Sequence, residues 1–549
     1  MNRTVMLPLI VAAGGFLPGM PPVASAQLIF ETRALAGTDG PLGPGLGTGV
    51  HFSDLDSAPV INSAGQTAFR GELIGVGVNG LNASGIWSEG GGSGLALVAR
   101  KGNPAPGTTG AVSFGSFNTP VLNSGGQTSF RGFLNGAGVT TADDRGIWSE
   151  GGGSGLALIA REGGQAPGTA AGVKFNSFNE PMLNGAGQTA FHGVISGPGM
   201  TRVNNLGIWS DGGGLGLALV ARAGSQAPGM AAGVNFVNIS IPALNGAGQT
   251  AFVSGLTGTG VTSANDSSIW SEGVESGLAP VAREGSQAPG MIADVNFGDF
   301  TSSIPALNDR GQTAFIGGLT GVEVTGANDT GIWSEGGGSG LALVARKGSH
   351  APGTTAGVSF ISFESPLLNS VGQTAFIGGL TGAGVTHANN EGIWSEAGGS
   401  GLALVAREGS QAPGAAPGVI FNSLEAFNSK PVLNGLGQTA FLGFLTGAGV
   451  TGANNSGIWA TDLDGLLQLI VREGNLFDVS NDPLSPDLRT ISDLSLVTNS
   501  GGEDGRPTSF NDAGQVAFRA GFTDGSQGIF VANTLASPAT LAGDYNNDG

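Results

Sequence analysis

Short apolar runs alternate with polar, glycine-rich stretches along this chain, and the alternation itself repeats. Between Leu95 and Glu150 there are four such runs: "LALVAR" (Leu95 to Arg100), "VSFGSFNTPVL" (Val112 to Leu122), "GQTSFRGFL" (Gly126 to Leu134) and "GIWSE" (Gly146 to Glu150). Runs this short, rich in Val, Phe and Trp and bounded by Gly, Asn and Pro, predict strands. No 11-residue window sustains a helical period. The stretch "NSGGQTSFRGFL" at Asn123 returns in close variants at Asn62, Asn184, Asn245, Asn308, Asn369, Asn434 and Asn511. Successive spacings are 61, 61, 61, 63, 61, 65 and 77 residues. Eight copies of one four-run unit override the three or four domains that 549 residues would otherwise suggest.

The joints between runs are legible. Asn at the first and Gly at the fourth position of N-x-x-G suit a type I turn, so N-x-x-G-Q predicts a bend joining the second and third runs. The "GGGSG" after "GIWSE" predicts another tight hairpin. Pro59, Pro120, Pro181, Pro242, Pro305, Pro366 and Pro431 each stand three residues before the motif Asn, and Pro507 stands four before its own. Proline cannot donate to a ladder, so the run before N-x-x-G is expected to be an edge strand, as the innermost strand of a blade is. Seven Trp, from Trp87 to Trp459, recur at one place per unit, with Phe530 in the eighth. One indole per unit predicts core packing between neighbouring units, the alternative being an aromatic ligand platform.

Four antiparallel strands in about 60 residues is the size of a propeller blade. The two ends are complementary: "LIFETR" (Leu28 to Arg33) matches the "LALVAR" run without its three predecessors, and no such run follows "GIFVA". An orphan N-terminal strand can complete the last blade and remove exposed edges. The expected fold is therefore all-β, an eight-bladed β-propeller over residues 27–533 whose ring the N-terminal strand closes. The motif N-x-x-G-Q-x-A-F resembles that of the secreted bacterial tandem-repeat proteins named for NxxGxxAF, many of which carry a C-terminal surface anchor. It spans nearly the whole chain, with Ser129 replacing Ala in the second copy. The resemblance implies an exported protein and supplies no catalytic residues.

Composition narrows the setting. The N-terminus, with Arg3, an apolar stretch from Val5 to Phe16 and Ala24-Ser25-Ala26, reads as a signal peptide over residues 1–26, cleaved after Ala26. Export to the cell surface or beyond is expected, and the apolar stretch is too short to span a bilayer. Forty acidic against 21 basic residues give a formal charge of −19, which disfavours nucleic acid and anionic membranes. The absence of Cys excludes disulfides and thiol chemistry. Glycans, proteins at the cell envelope and divalent cations stay open as partners, and the chain is expected to be a monomer.

Candidate chemistry is sparse. His51, His192, His350 and His387 fall in different places and form no ligand pair. Arg33, Arg100, Arg161, Arg222, Arg283, Arg346, Arg407 and Arg472 each end a first run and are expected to bond loop carbonyls or carboxylates. Asn or Asp five residues before each Trp, as at Asn82 and Asp143, predicts an Asx-turn. The repeat breaks between Arg472 and Pro507, where the longest spacing adds 16 residues to the common 61. This insertion predicts either a cover over the closure seam or a Ca²⁺ or glycan site, with Asp487, Arg489, Glu503 and Asp504 as candidate binders. After a linker at 534–543, "DYNNDG" (544–549) resembles the first loop of a dockerin, with Asp544, Asn546 and Asp548 at ligand positions 1, 3 and 5. Positions 7, 9 and 12 are missing, so a weak Ca²⁺ site and an incomplete docking module are expected; no cofactor is expected in the propeller. These observations predict a non-enzymatic binding module or envelope scaffold. The alternative is an extracellular glycan-active enzyme, which a pair of non-repeated acids converging at the channel mouth would favour.

Overall fold

The computed structural model describes residues 28–37, 43–273, 277–300, 303–399, 401–424, 430–498 and 505–533. The expected signal peptide, linker and dockerin-like loop lie outside them. Every regular element among the described residues is a β-strand. In the second unit, strands Ser113–Phe117, Thr128–Asn135, Arg145–Ser149 and Ala157–Arg161 pair antiparallel in that order. The same four-stranded sheet recurs from unit to unit, and the sheets are arranged as a propeller.

The second run is one interrupted strand. Ser113–Phe117 pairs with the far half of Thr128–Asn135, and Val121–Leu122 pairs with its beginning. Between them Asn118 donates its N–H to the Arg131 carbonyl at 3.0 Å, and Pro120 sits in the remaining gap. A bulge at an edge is where a residue without an N–H is tolerated, which accounts for the recurring proline. The two-residue segments of successive units then follow one another around the axis. Small aliphatic clusters join them, such as Ala243, Ala251 and Leu307, or Leu367, Ala375 and Leu433.

The core lies between neighbouring sheets. All seven Trp side chains have 0% exposure. Trp148 packs edge-on against Phe114 at 4.9 Å, stacks on Phe130 at 6.3 Å and shares a cluster with Ile86 and Ala99 of the preceding unit. Burying an aromatic of this size contributes a few kcal/mol, and specific ring geometry adds roughly 0.5–1.5 more. The indole N–H donates to a connector carbonyl, Pro106 for Trp148 at 3.0 Å. The "G-I-W" sequence follows from this packing: a Cβ at Gly146 would lie 2.7 Å from Cη2 of Trp148.

The hairpin after "GIWSE" is less tight than its glycines suggest. Ser88 pairs with Ala96, leaving a seven-residue loop opened by a turn from Gly92 N–H to the Glu89 carbonyl.

At the ends of the chain, Ile29–Ala36 pairs antiparallel with Gln527–Asn533 and meets Val50–Asp54 of the first unit through one parallel bridge, Ala36 to Phe52. The register differs from the sequence match. Ala34 stands opposite Ile529 as Ala99 stands opposite Ile86, with Arg33 at the bulged position that Val98 holds. Leu35, not Arg33, is therefore the counterpart of Arg100. A residue that stacks correctly on the hydrophobic side of the strand outweighs the identity of an exposed cation.

Candidate functional site

The motif asparagine does more than make a turn. Asn123 accepts the Gln127 N–H on Oδ1 at 2.8 Å, and its backbone carbonyl accepts the Gly126 N–H at 3.0 Å. Its Nδ2 donates both to Gln127 Oε1 and across to the backbone carbonyl of Asn184 in the next unit, each at 2.8 Å. Every copy repeats this cross-unit bond at 2.8–3.1 Å, and Asn511 donates to Asn62. A type I turn accepts Asp or Ser at its first position; only an amide can accept within the turn and donate outside it. The strict Asn was the sequence signal for this contact. Gln127 continues the network by donating to the Glu150 carbonyl, and Glu150 in turn accepts the N–H of Thr128 at 2.9 Å.

Around these asparagines lies a cavity of about 220 Å³. Its walls include Ile61, Leu122, Leu183 and Phe510, and its rim includes Ser63, Ser124, Asp309 and Asp512. The two carboxylates follow the motif Asn in their units, where other units have Ser or Gly. Each reaches back to the preceding unit: Asp309 accepts the Gly246 N–H at 2.5 Å and Asp512 the Gly435 N–H at 2.6 Å. Burial pushes the Asp309 carboxyl up, the Gly246 N–H opposes that shift, and the Asp512 charge adds to it. Sequence reasoning missed this pair because each acid is a single exception in a position otherwise held by small residues.

The insertion divides into two arms. One arm closes the cavity from within. Leu183 donates its N–H to the Gly505 carbonyl at 2.9 Å and Ile61 donates to the Thr508 carbonyl at 2.8 Å. Val497 packs against Val60, Ala68 and Leu122. Gly505, at φ +70°, passes so close to the inner strands that a Cβ would lie 3.0 Å from the Leu244 carbonyl oxygen and from Met182. This arm therefore touches the first four units from the eighth.

The other arm grips the N-terminal strand. Asn481 accepts the Thr32 N–H and donates to the Thr32 carbonyl, both at 2.9 Å, and the Thr32 hydroxyl donates to Val479. Asp487 lies in the depression beside Thr32 and Asn481. It pairs with Arg489 at 2.6 Å, and Arg489 also donates to Ser526 at 2.6 Å. Asp487 and Arg489 are thus brought together, but on each other and at the seam. Glu503, Asp504, Asp544, Asn546 and Asp548 lie outside the described residues.

The remaining candidates serve the fold. Arg161 donates Nε to the Asp143 carbonyl at 2.9 Å and pairs with its carboxylate at 2.9 Å, and Arg100, Arg283, Arg346, Arg407 and Arg472 make the same carbonyl bond. Arg33, the register exception, instead pairs with Glu31 and reaches Glu89 and the Gly65 carbonyl of the first unit. Asp143 accepts the Thr140 N–H at 2.7 Å, so the loop is a local side-chain turn. His192 contacts Asn179 and His350 the Val358 carbonyl. Among the described residues no group of three or more His, Asp or Glu could hold a metal ion.

No curated protein matches the chain. Among solved structures, the Dos1 propeller is 9% identical, with 88% of this chain and 93% of that one covered, at a TM-score of 0.34. An α-L-arabinofuranosidase from Fusarium graminearum is 7% identical over 64% of this chain and 91% of its own, at 0.24. A Trypanosoma rangeli sialidase in complex with sialic acid is 8% identical over 90% of this chain and 60% of its own, at 0.23. Likeness at this level carries no argument about activity. The sequence model of one family does match, in three overlapping stretches at residues 31–215, 210–349 and 302–542, and the chain belongs to that family, the family of unknown function DUF7453.

Proposed function

We propose that this chain is an exported, non-enzymatic repeat propeller of eight blades, closed by its N-terminal strand, that serves the cell envelope as a binding module or scaffold. Closure is supported by the Asn511 to Asn62 hydrogen bond and by the pairing of Ile29–Ala36 with Gln527–Asn533. Export is supported by the signal-peptide pattern of residues 1–26, and the NxxGxxAF resemblance agrees with it. The spacing of Asp544, Asn546 and Asp548, similar to the first loop of a dockerin, supports Ca²⁺ as a ligand of these residues.

One observation carries the non-enzymatic reading: the space on the axis, where a propeller enzyme would work, is small and occupied. Its lining mixes the motif asparagines with Ile61, Leu122 and Leu183, and the insertion arm from Gly505 through Arg506 to Thr508 narrows it from within. The 220 Å³ that remain fall below the roughly 300–1,000 Å³ of ordinary small-molecule sites. A glycan chain has no room to cross it.

The glycan-active alternative rests on Asp309 and Asp512. They are non-repeated acids lining one cavity, and paired carboxylates are the residue type that glycoside hydrolysis uses. Incubating the protein with cell-wall polysaccharides separates the two readings. The scaffold reading expects retention on the polymer without release of reducing ends, unchanged in D309N/D512N. Release by the wild type that the double variant abolishes would establish the enzyme instead.

A further inference from the structure

Two positions in each sheet face one another: the residue before the Trp-bearing strand and the residue after the repeating Arg that ends the strand paired with it. In the fifth unit they hold Asp329 and Lys347, paired at 2.9 Å. In the second they hold Asp144 and Glu162, and in the fourth Asp266 and Glu284. Two blades therefore place a second carboxylate where a third has an ammonium.

The two glutamates are buried, whereas Asp144 and Asp266 are half-buried. Glu162 is 1% exposed and Glu284 9%. Both carboxylate oxygens of Glu162, and Oδ1 of Asp144, are buried without a hydrogen-bond donor. The adjacent cation, Arg145, stands 3.6 Å from Glu162 and 3.8 Å from Asp144 and leans over the Phe133 ring. Arg131 is engaged by Glu180 at 2.8 Å and the Phe178 carbonyl at 2.7 Å. Lys174, Asp143 and Arg161 line the neighbouring depression, the last two paired with each other. In the fourth unit Glu284 accepts the Asp266 N–H at 3.0 Å and faces the Asp266 and Asp299 carboxylates, while Arg283 turns to the Asn265 carbonyl.

The Glu162 oxygens and Asp144 Oδ1, buried without donors at facing positions, lack one component, a proton between them; Asp266 and Glu284 hold the same two positions in the fourth unit. We propose that the Asp144–Glu162 and Asp266–Glu284 pairs each hold one shared proton in the folded protein, a carboxyl O–H of one residue donating to the carboxylate of the other, so that the propeller tightens in mildly acidic surroundings. Each protonated pair carries one negative charge instead of two, as a coupled pair does. The Asp329–Lys347 pair reaches charge balance without a proton.

The electrostatic surroundings of the two glutamates point the same way. Burial pushes Glu162 up to about 7; Arg145 opposes the shift, and the hydrogen bond with Asp144 and its charge add to it. Burial, then contact with Asp266, raises Glu284. A raised value means that the folded state binds the proton more tightly than the unfolded chain. Stability from Glu162 is accordingly complete near the unfolded value of 4.5 and lost as the pH rises to about 7.

The test uses the whole chain and two variants. E284K recreates the Asp–Lys pair of the fifth unit, and E162Q keeps the shape of Glu162 while removing its charge. Between pH 5 and 8 the wild-type Tm is expected to fall by roughly 2–5 °C more than that of E162Q/E284K, a shift set by the size dependence of ΔΔG on Tm. In ¹³C-Glu-labelled wild-type protein, one side-chain carboxyl absent from E162Q should titrate with a midpoint near 7. The NMR arm needs only the wild type and the single variant E162Q should the double variant fail to fold. Parallel Tm curves for wild type and variant, or titration of Glu162 below pH 5, would overturn the proposal. So would a Tm at pH 8 raised by Ca²⁺ in wild type and not in the variant, because a metal would then join the carboxylates.

Discussion

A repeat lets single residues be judged against their own copies. Ser268 stands where six other units have the Gly of "G-I-W". At Gly207 and Gly331 a Cβ would lie 2.7 and 2.8 Å from the indole, so the Ser268 side chain crowds Trp270. Both consequences are visible: the Ser268 hydroxyl and the Trp270 N–H are buried without partners, whereas Trp209 and Trp333 donate to Pro167 and Pro289 at 3.0 Å. A buried unpaired polar group costs about 1–3 kcal/mol, against roughly 0.5–1 kcal/mol for glycine's extra chain entropy. Ser268→Gly is therefore expected to stabilise the protein by about 1 kcal/mol and to raise the denaturant midpoint. A lower midpoint in urea would show that the serine is accommodated.

At the scale of elements, the contacts between neighbouring units use two chemistries. The residue after the motif Phe is Arg70, Arg131, His192 or Arg519 in four units and Val253, Ile316, Ile377 or Leu442 in the others. Arg131 bonds the Phe178 carbonyl of the next unit, whereas Val253 joins the cluster of Phe297 and Phe300. Neither is needed for strand formation, so the strand pattern reveals nothing of the choice. In the proposed ring, the N-terminal strand is the element that joins the last unit to the first. It pairs along seven residues of Gln527–Asn533, and Phe30 packs on Phe477 and Phe518. Deleting Ile29 to Ala36 should lower the Tm by 5 °C or more, by the usual relation of ΔΔG to Tm. It should also leave an open edge that promotes aggregation, which light scattering reads. An unchanged melt and a monodisperse sample would remove the strand from the closure.

For the whole molecule, the insertion is the one long departure from the repeat. The eighth unit replaces the three-residue bulge of Asn118 to Pro120 with the stretch between Leu496 and Thr508. Grafting the short bulge in its place removes the contacts of Val497 with Val60 and of Gly505 with Leu183. If the arm is a structural seam, the graft should lower the Tm while the Asn481 clasp on Thr32 keeps the N-terminal strand in place. If it is a ligand site, the Tm should stay and Ca²⁺ or glycan binding should disappear. Calorimetry of the graft with Ca²⁺ distinguishes these, and a stable graft that binds as the wild type does would contradict both.

What the sequence determined by itself was local and periodic. Strand positions, the N-x-x-G bend, the bulged proline and the buried indoles follow from side-chain shape and backbone rules that act within a few residues. Repetition made each rule visible seven or eight times. Tertiary structure decided what depends on partners distant in the chain. The Asn-to-Asn bonds join residues 61 to 77 apart, and the Asn511 to Asn62 bond spans 449. The register of the N-terminal strand was settled by packing opposite Ile529, and Arg33 was thereby taken out of the series its sequence suggested. Asp309 and Asp512 belong to units far apart in sequence and share a rim only because the sheets turn about an axis. Local rules cannot express such contacts, because their free energy arises only after the units have been brought around to meet.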